Sequence, residues 1–202
     1  FSRPWITHCS IQRTDLYKSS ELVEEFRERY KKPVVLDEIA YEGNIEFGWG
    51  NISPQEMVRR FWEAAVRGGY PGHGETYMNP DDILWWSHGG TLHGESHKRF
   101  GFLLDILKQT PGHGLKPVHL NWDEVCGVPD KASGSVKDYY LFYYSFMRPS
   151  SRTFYFDDTS RWNVRVIDTW NMLIEDRGIM SGKFTVELPG REYMAIQIRK
   201  ES

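Results

Sequence analysis

The sequence predicts an α/β domain followed by an all-β domain. In the first half, apolar strand-like segments alternate with amphipathic helical segments, the spacing of consecutive βα units that build a parallel sheet. After about residue 115, short strand patterns follow one another without a clear helix between them, and turn signals such as Pro189-Gly190 separate them. We therefore expect an α/β domain in residues 1–114 and an antiparallel β-sandwich in residues 115–202.

The composition is that of a folded protein with a substantial core and many aromatic rings. Of the 202 residues, 40% are hydrophobic and 15% are aromatic, including 8 Trp and 11 Tyr. The net charge of -3 and the lack of a basic block predict no nucleic-acid partner. No apolar run approaches the roughly 18 residues of a membrane span, so we expect no membrane partner. Cys9 and Cys126 are expected to be free thiols, with a single disulfide as the alternative.

The first βα unit begins with a strand predicted at residues 6–12. In this strand His8 and Gln12 lie on one face, because alternate side chains point the same way. A helix is predicted at residues 20–30, where Leu22, Val23 and Phe26 recur at helical spacing.

The second predicted strand, residues 33–38, organises the rest of the chain. Pro33 stops the preceding helix, and Val34 to Leu36 favour a strand buried on both faces. The apolar run then ends in Asp37 and Glu38. Because (β/α)-barrel enzymes keep their chemistry at the C-terminal ends of parallel strands, Glu38 is the first catalytic candidate.

The next helix has the clearest start signal in the chain. Ser53 is a helix cap, Pro54 suits the first helical position, and Glu56 completes a capping box. The helix is expected to end at Gly68-Gly69. A glycine-rich third strand is predicted at residues 69–76, and a last helix at residues 96–108. The second half is predicted to contain strands at 139–146, 153–156, 162–170, 183–188 and 193–199.

Three βα units cannot close a barrel of eight, but they could be its last three. Several segments resemble the final third of a retaining (β/α)8 glycoside hydrolase of the superfamily that includes cellulases, β-mannanases and β-galactosidases. The resemblance is to a bacterial family of putative endoglucanases whose TIM barrel is followed by a small C-terminal β-domain. The segments concerned are residues 32–43, 72–77, 85–90, 153–156, 167–172 and 186–195. The resemblance implies that residues 1–114 are the C-terminal part of such a barrel.

The resemblance also implies a function and a catalytic role. It makes Glu38 the nucleophile of a retaining hydrolase that cleaves β-glycosidic bonds in oligo- or polysaccharides. The partner acid/base belongs to the fourth barrel strand, which is not in this sequence, and the chemistry needs the two carboxyl groups about 5–5.5 Å apart. The chain would then carry the nucleophile half of the site. The alternative is a non-catalytic carbohydrate-binding or structural fragment.

The substrate-binding candidates surround this strand end. They are His8, Gln12, Tyr41, Trp49, His73, Glu75, Trp85 and Trp86. The tryptophans could present rings to the apolar face of a sugar, or could simply pack in the core. Tyr41 could hydrogen-bond the nucleophile or the substrate, or could pack under its own loop. His73 and Glu75 could bind hydroxyl groups or brace a loop, and Glu75 is the main rival nucleophile. Asp37 is expected to point away from Glu38, and Glu42 to lie out in the loop at residues 42–52.

No metal site and no cofactor are expected. The segment His93-Gly94-Glu95-Ser96-His97 has the wrong order for a zinc-protease helix, and no Pro-Cys-x-x-Cys follows His73-Gly74-Glu75. The opening residues contain neither Met nor a signal-peptide pattern, so we expect the rear part of a longer protein. The expected partners are a carbohydrate substrate and either a preceding barrel segment or a second copy. The cellular location stays open, with the cytoplasm favoured.

Overall fold

The computed structural model describes residues 1–15, 20–78, 80, 90–130 and 138–201. These residues form two compact units, Phe1–Phe102 and Leu103–Ser202. Strands predominate over helices, and the second unit is built on an antiparallel sheet, as the sequence predicts. In the described part of the chain, no helix is long and apolar enough to cross a membrane.

The first unit combines short parallel strands with helices. Its elements are β1 (Cys9–Gln12), α1 (Leu22–Tyr30), β2 (Val34–Glu38), β3 (Glu42–Gly43), α2 (Pro54–Val66), β4 (Tyr70–Pro71), β5 (Glu75–Thr76) and the start of α3 (His97–Leu107). Strands β1, β2 and β4 form a parallel sheet with β2 in the centre, and β3 pairs with β5 in a separate parallel pair. Strands and helices therefore alternate along the first unit, as the sequence predicts.

The central strand ends in a change of register. Cys9 pairs with Val34 and Ile11 with Leu36, but Gln12 pairs with Glu38, so Asp37 is an extra residue on β2. Such bulges bend a strand and redirect the side chains at its end. Val34 and Leu36 are fully buried, which anchors the strand up to this point. The change of register therefore falls immediately before Glu38, the candidate catalytic residue.

The predicted third strand is not continuous. Tyr70–Pro71 pairs with β2, whereas Glu75–Thr76 pairs with β3. The break follows from a close approach: Gly72 donates its N–H to Leu36 O, and a Cβ on Gly72 would lie 2.7 Å from Asp37 O. The glycine-rich sequence thus indicates a tight passage beside β2.

Helix α2 begins as predicted but uses Glu56 differently. The Ser53 hydroxyl accepts a hydrogen bond from the Glu56 N–H at 3.1 Å, and Pro54 is the first helical residue. The Glu56 carboxylate binds the guanidinium groups of Arg59 and Arg60. Both arginines are buried, so Glu56 neutralises them instead of closing a capping box.

The second unit contains the end of α3 and eight strands. They are β6 (Leu115–Val118), β7 (Val125–Pro129), β8 (Tyr139–Tyr143), β9 (Ser151–Tyr155), β10 (Trp162–Asp168), β11 (Leu173–Met180), β12 (Lys183–Glu187) and β13 (Met194–Lys200). Six of them form one antiparallel sheet in the order β11-β10-β13-β8-β7-β6. Strands β9 and β12 form a separate antiparallel pair.

One apolar cluster joins the two sheets of this unit. Phe154 and Val186 from the β9–β12 pair share it with Phe142, Val164 and Ile196 of the six-stranded sheet. The Phe142 and Phe154 rings lie 4.9 Å apart. In β10, Trp162, Val164 and Val166 alternate with the polar Asn163 and Arg165, and the three apolar residues are the buried ones.

Three of the strands described in the second unit were not predicted from the sequence. Strands β6 and β11 are the two edges of the large sheet, and β7 is the neighbour of β6. Edge strands tolerate Pro and charged residues because one side has no strand to pair with. Thus Pro117 lies in β6, and Glu175 and Asp176 lie in β11. Both cysteines are buried and free, which confirms the expectation of free thiols.

Candidate active site

Glu38 ends β2 half-buried and is held by two side chains. Gln12 Nε2 donates a hydrogen bond to Glu38 Oε1 at 3.0 Å, and the Tyr41 hydroxyl also hydrogen-bonds this carboxylate. Burial of Tyr41, assisted by the negative charge of Glu38, raises the pKa of the phenol to about 12. Tyr41 therefore stays a neutral donor at physiological pH. These two hydrogen bonds fix the orientation of the Glu38 carboxylate.

The backbone after Glu38 is fixed from below by Arg60. Its Nη1 donates to Ile39 O at 2.5 Å, and its Nε donates to Glu56 Oε1 at 2.7 Å. The Arg60 side chain is fully buried. Ala40, the next residue, has a φ of +72°, which is unfavourable for a residue with a Cβ. A strained turn held by a buried guanidinium is typical of backbone that presents a functional side chain.

Aromatic rings lie next to this turn. The Tyr41 and Trp49 ring centroids are 5.7 Å apart with an edge-to-face geometry, and Phe47 stacks parallel to Trp49 at 6.2 Å. Tyr41 N donates to Trp49 O at 2.7 Å, so the loop returns to the Glu38 turn. Phe47 is more than half exposed. Exposed and half-exposed rings beside a carboxylate suit a sugar, whose C–H faces are apolar.

Asp37 also contacts β1. Its carboxylate accepts a hydrogen bond from the Ser10 hydroxyl. Ser10 and Gln12 share one face of β1, so Asp37 and Glu38 both reach the same face of that strand. Simple alternation, which turns Asp37 away from Glu38, fails here because the register shifts between Ile11 and Gln12.

A second group of polar residues is built on β3 and β5. Glu42 was expected in the loop, but it is fully buried in β3 and paired with Glu75 of β5. The Glu42 carboxylate accepts hydrogen bonds from the Tyr77 hydroxyl, the Glu95 N–H, and the N–H and hydroxyl of Ser96. Burial opposes ionisation of Glu42, but these donors outweigh it and lower its pKa. Glu42 therefore anchors the segment that leads into α3.

His73 and Glu75 come together in this group. Glu75 Oε2 accepts hydrogen bonds from the N–H groups of His93 and Gly94, at 2.8 and 2.9 Å. Glu75 Oε1 lies 3.7 Å from His73 Nε2 and 3.5 Å from His97 Nδ1. Burial lowers the pKa of His73, although the nearby carboxylates of Glu75 and Glu42 act in the opposite direction. The contacts of Glu75 Oε2 with the backbone of His93 and Gly94 agree with the alternative in which Glu75 braces a loop.

The structure says little about the remaining substrate-binding candidates, His8, Trp85 and Trp86. His8 is exposed and its ring contacts the Thr7 hydroxyl at 3.0 Å. Trp85 and Trp86 lie outside the described residues. The structure thus brings Gln12, Glu38, Tyr41 and Trp49 together, and groups His73 with Glu75.

Sequence reasoning missed two residues beside these groups. Arg60 interrupts the buried face of α2, three residues after Met57, and a charged residue at a buried helical position was the available signal. His97 was considered only within a failed metalloprotease pattern, and no local signal indicates its approach to Glu75.

The second unit has a cavity of its own. It has a volume of about 250 Å³ and mixes charged with apolar lining residues. Its charged lining consists of Asp168, Glu175, Arg177, Glu187 and Arg191. Arg191 forms an ion pair with Asp168, and Arg177 Nη2 lies 3.1 Å from Glu175 Oε2. A cavity of this character can accept a small polar molecule.

Comparison with solved structures gives a consistent fold. A protein described as a putative glycoside hydrolase from Bacteroides vulgatus ATCC 8482 is 30% identical, with a TM-score of 0.83 over 98% of this chain and 42% of that chain. A glycoside hydrolase family 5 protein from the same organism is 14% identical, with a TM-score of 0.70 over 99% of this chain and 51% of that chain. Another glycoside hydrolase is 13% identical, with a TM-score of 0.67 over 98% of this chain and 53% of that chain.

The chain has a glycoside hydrolase-like fold. It spans about half the length, or less, of these three solved chains. Residues 122–199 match a family described as "Domain of unknown function (DUF5605)". Curated proteins gave no match. The glycoside hydrolase likeness therefore covers both units, whereas the family match lies within the second.

Proposed function

We propose that this chain is the nucleophile-bearing part of a retaining glycoside hydrolase that acts on β-glycosidic bonds of oligo- or polysaccharides. Its first unit would be the last three βα units of a TIM barrel, and its second unit an appended β-sandwich. The observation that carries the proposal is the Glu38 carboxylate at the C-terminal end of β2, oriented by Gln12 and Tyr41. The glycoside hydrolase-like fold supports it.

The proposed reaction has two steps. Glu38 attacks the anomeric carbon, the glycosidic C–O bond breaks, and a protonated acid/base residue gives its proton to the leaving oxygen. Water then attacks the glycosyl–enzyme ester, and the same residue takes a proton from that water. The matched structures are about twice as long as this chain, so we assign the acid/base residue to a preceding segment. The attack needs a carboxylate held in one orientation, and the hydrogen bonds from Gln12 and Tyr41 to Glu38 support this.

The test uses the longer protein that contains this chain. In Glu38→Ala, hydrolysis of aryl β-glycosides should fall by at least about a thousandfold, because the nucleophile is removed. Azide should restore turnover and give a glycosyl azide of inverted configuration, since azide attacks from the face that Glu38 occupied. The product configuration is read by NMR.

A matched variant controls for a general effect of losing a carboxylate. Glu46 lies exposed in the loop after Glu38, so Glu46→Ala should keep wild-type rates. If Glu38→Ala keeps its rate as well, the nucleophile is elsewhere, with Glu75 the next residue to replace.

The second candidate function is carbohydrate binding without hydrolysis. The cavity in the second unit favours it, because charged groups that can bind hydroxyls stand beside apolar residues such as Leu173 and Met194. Binding of oligosaccharides by both wild type and Glu38→Gln, with no turnover by the longer wild-type protein on any aryl glycoside, would decide for this alternative.

A further inference from the structure

Two buried carboxylates and a histidine converge beside the β3–β5 pair. One ligand atom each from Glu42, His73 and Glu75 lies within 4.8 Å of the other two. Glu42 is fully buried, and the Glu75 side chain has no exposed surface. The ring of His97, at the start of α3, lies next to this group, with its Nδ1 3.5 Å from Glu75 Oε1.

The negative charge of this group is not balanced by a fixed cation. Among the described residues, no lysine or arginine forms an ion pair with Glu42 or Glu75. Uncharged donors satisfy the Glu42 carboxylate and Glu75 Oε2. Glu75 Oε1, in contrast, is buried and has no hydrogen-bond partner in the described part of the chain. An unpaired buried carboxylate oxygen is costly, so this atom points to a missing positive partner.

One nitrogen of His73 and one of His97 lie at distances from Glu75 Oε1 that are typical of two ligands of the same metal ion. His73 Nε2 is 3.7 Å and His97 Nδ1 is 3.5 Å from Glu75 Oε1, too long for good hydrogen bonds. Ligands about 2.0–2.2 Å from a tetrahedral ion lie roughly 3.3 Å from one another. His97 Nδ1 is also buried without a hydrogen-bond partner in the described residues.

We propose that Glu42, His73 and Glu75 bind one divalent transition-metal ion of the zinc class, and that the His97 ring turns toward this ion to become a fourth ligand. Two imidazoles and two carboxylates form a ligand set that such ions prefer. The hydroxyl of Ser96, which bonds Glu42 and lies 3.3 Å from His73 Nε2, turns aside when the ion binds. The backbone donors to Glu75 Oε2 hold that carboxylate in place from behind.

The ion would tie together three separate segments of the first unit. Glu42 comes from β3, His73 and Glu75 from β5 and its approach, and His97 from the start of α3. Because Glu42 is only four residues beyond Glu38, the tie would also fix the turn that carries the proposed nucleophile. The proposal does not depend on the catalytic role of Glu38.

The test is a titration of the chelator-treated full chain with Zn²⁺ by calorimetry. We expect one ion per chain, with a Kd of about 1 µM or tighter, and a higher thermal unfolding temperature with Zn²⁺ present. Co²⁺ in place of Zn²⁺ should give visible absorption bands of a low-symmetry site with nitrogen and oxygen ligands. Glu75→Gln should weaken Zn²⁺ binding at least tenfold.

Three further variants make the result decisive. His97 is partly exposed, so His97→Gln should fold even if Glu75→Gln does not, and it should also weaken binding. Glu46→Gln and His113→Gln remove exposed groups of the same types and should bind Zn²⁺ as the wild type does. The proposal is overturned if the wild type takes up no ion, or if a folded His97→Gln and Glu75→Gln bind it with wild-type affinity.

Discussion

Gly74 supports the ring that orients the proposed nucleophile. A Cβ at this position would lie 2.1 Å from Tyr41 Cδ1 and 2.2 Å from Cε1, so the phenol ring lies directly against the glycine backbone. Tyr41 in turn hydrogen-bonds Glu38 and packs edge-to-face on Trp49. At the residue scale, the position of the Glu38 carboxylate therefore depends on a glycine 36 residues away in sequence.

The substitution Gly74→Ala tests this dependence. The added methyl group should displace the Tyr41 ring and lower the free energy of unfolding by about 1–3 kcal/mol, the usual range for overpacking. Urea unfolding followed by tryptophan fluorescence measures the change. Gly48→Ala is the matched control, because a Cβ there meets no atom within 4 Å. Equal stability of the two variants would show that Tyr41 adapts without cost.

At the element scale, an ion pair connects the two sheets of the second unit. Glu124 directly precedes β7, and Arg152 lies in β9. Arg152 donates two hydrogen bonds to the Glu124 carboxylate, each 2.9 Å long, and its guanidinium lies over the Phe154 ring. Hydrogen bonding to Glu124 raises the pKa of Arg152 above its ordinary value. The Glu124 side chain has no exposed surface, so it depends on this partner.

Replacing the cation should therefore destabilise the second unit. Arg152→Met leaves Glu124 buried and unpaired, and we expect a loss of about 2–4 kcal/mol, a little below the range for fully buried pairs because Arg152 is partly exposed. Chemical denaturation at neutral pH measures the loss. The exposed Arg161 provides the control, and Arg161→Met should change stability by less than about 0.5 kcal/mol. A neutral Arg152→Met would mean that water replaces the guanidinium.

At the scale of the whole molecule, the parallel sheet formed by the described residues of the first unit has open edges. In the described part of the chain, β1 pairs with β2 on one side and with no strand on the other. Ser10, Gln12 and Asp37 are exposed polar residues on these strands. A parallel sheet is normally covered and paired on both sides, so this edge is suited to a further strand.

The isolated chain is therefore expected to self-associate. Sedimentation velocity should show dimers or larger species, since the unpaired edge of β1 can accept a strand from a second copy. Coexpression with the preceding barrel segment that we propose should replace these species with a single complex. A monodisperse monomer of the isolated chain would contradict the prediction.

The sequence alone determined the order of the structure and the place of its first candidate residue. Local patterns located three elements: alternation of apolar with polar residues located β10, helical spacing of apolar residues located α2, and a short apolar run located β2. The same signal placed Glu38 at the end of a buried strand. The capping signal at Ser53 is also local, and the structure confirms the prediction that Ser53 caps α2. Edge strands such as β11 escaped prediction because they lack a regular buried face.

Tertiary structure decided which polar residues meet. Glu42 is buried because the N–H groups of Glu95 and Ser96, more than 50 residues later, satisfy its carboxylate. Arg60 reaches Ile39 O only because α2 packs beneath the turn after β2. A hydrogen bond between distant segments leaves no periodic pattern in the sequence, since its energy depends on a distance that the fold sets. The partners of Glu38, Glu42 and Glu75 are therefore properties of the fold.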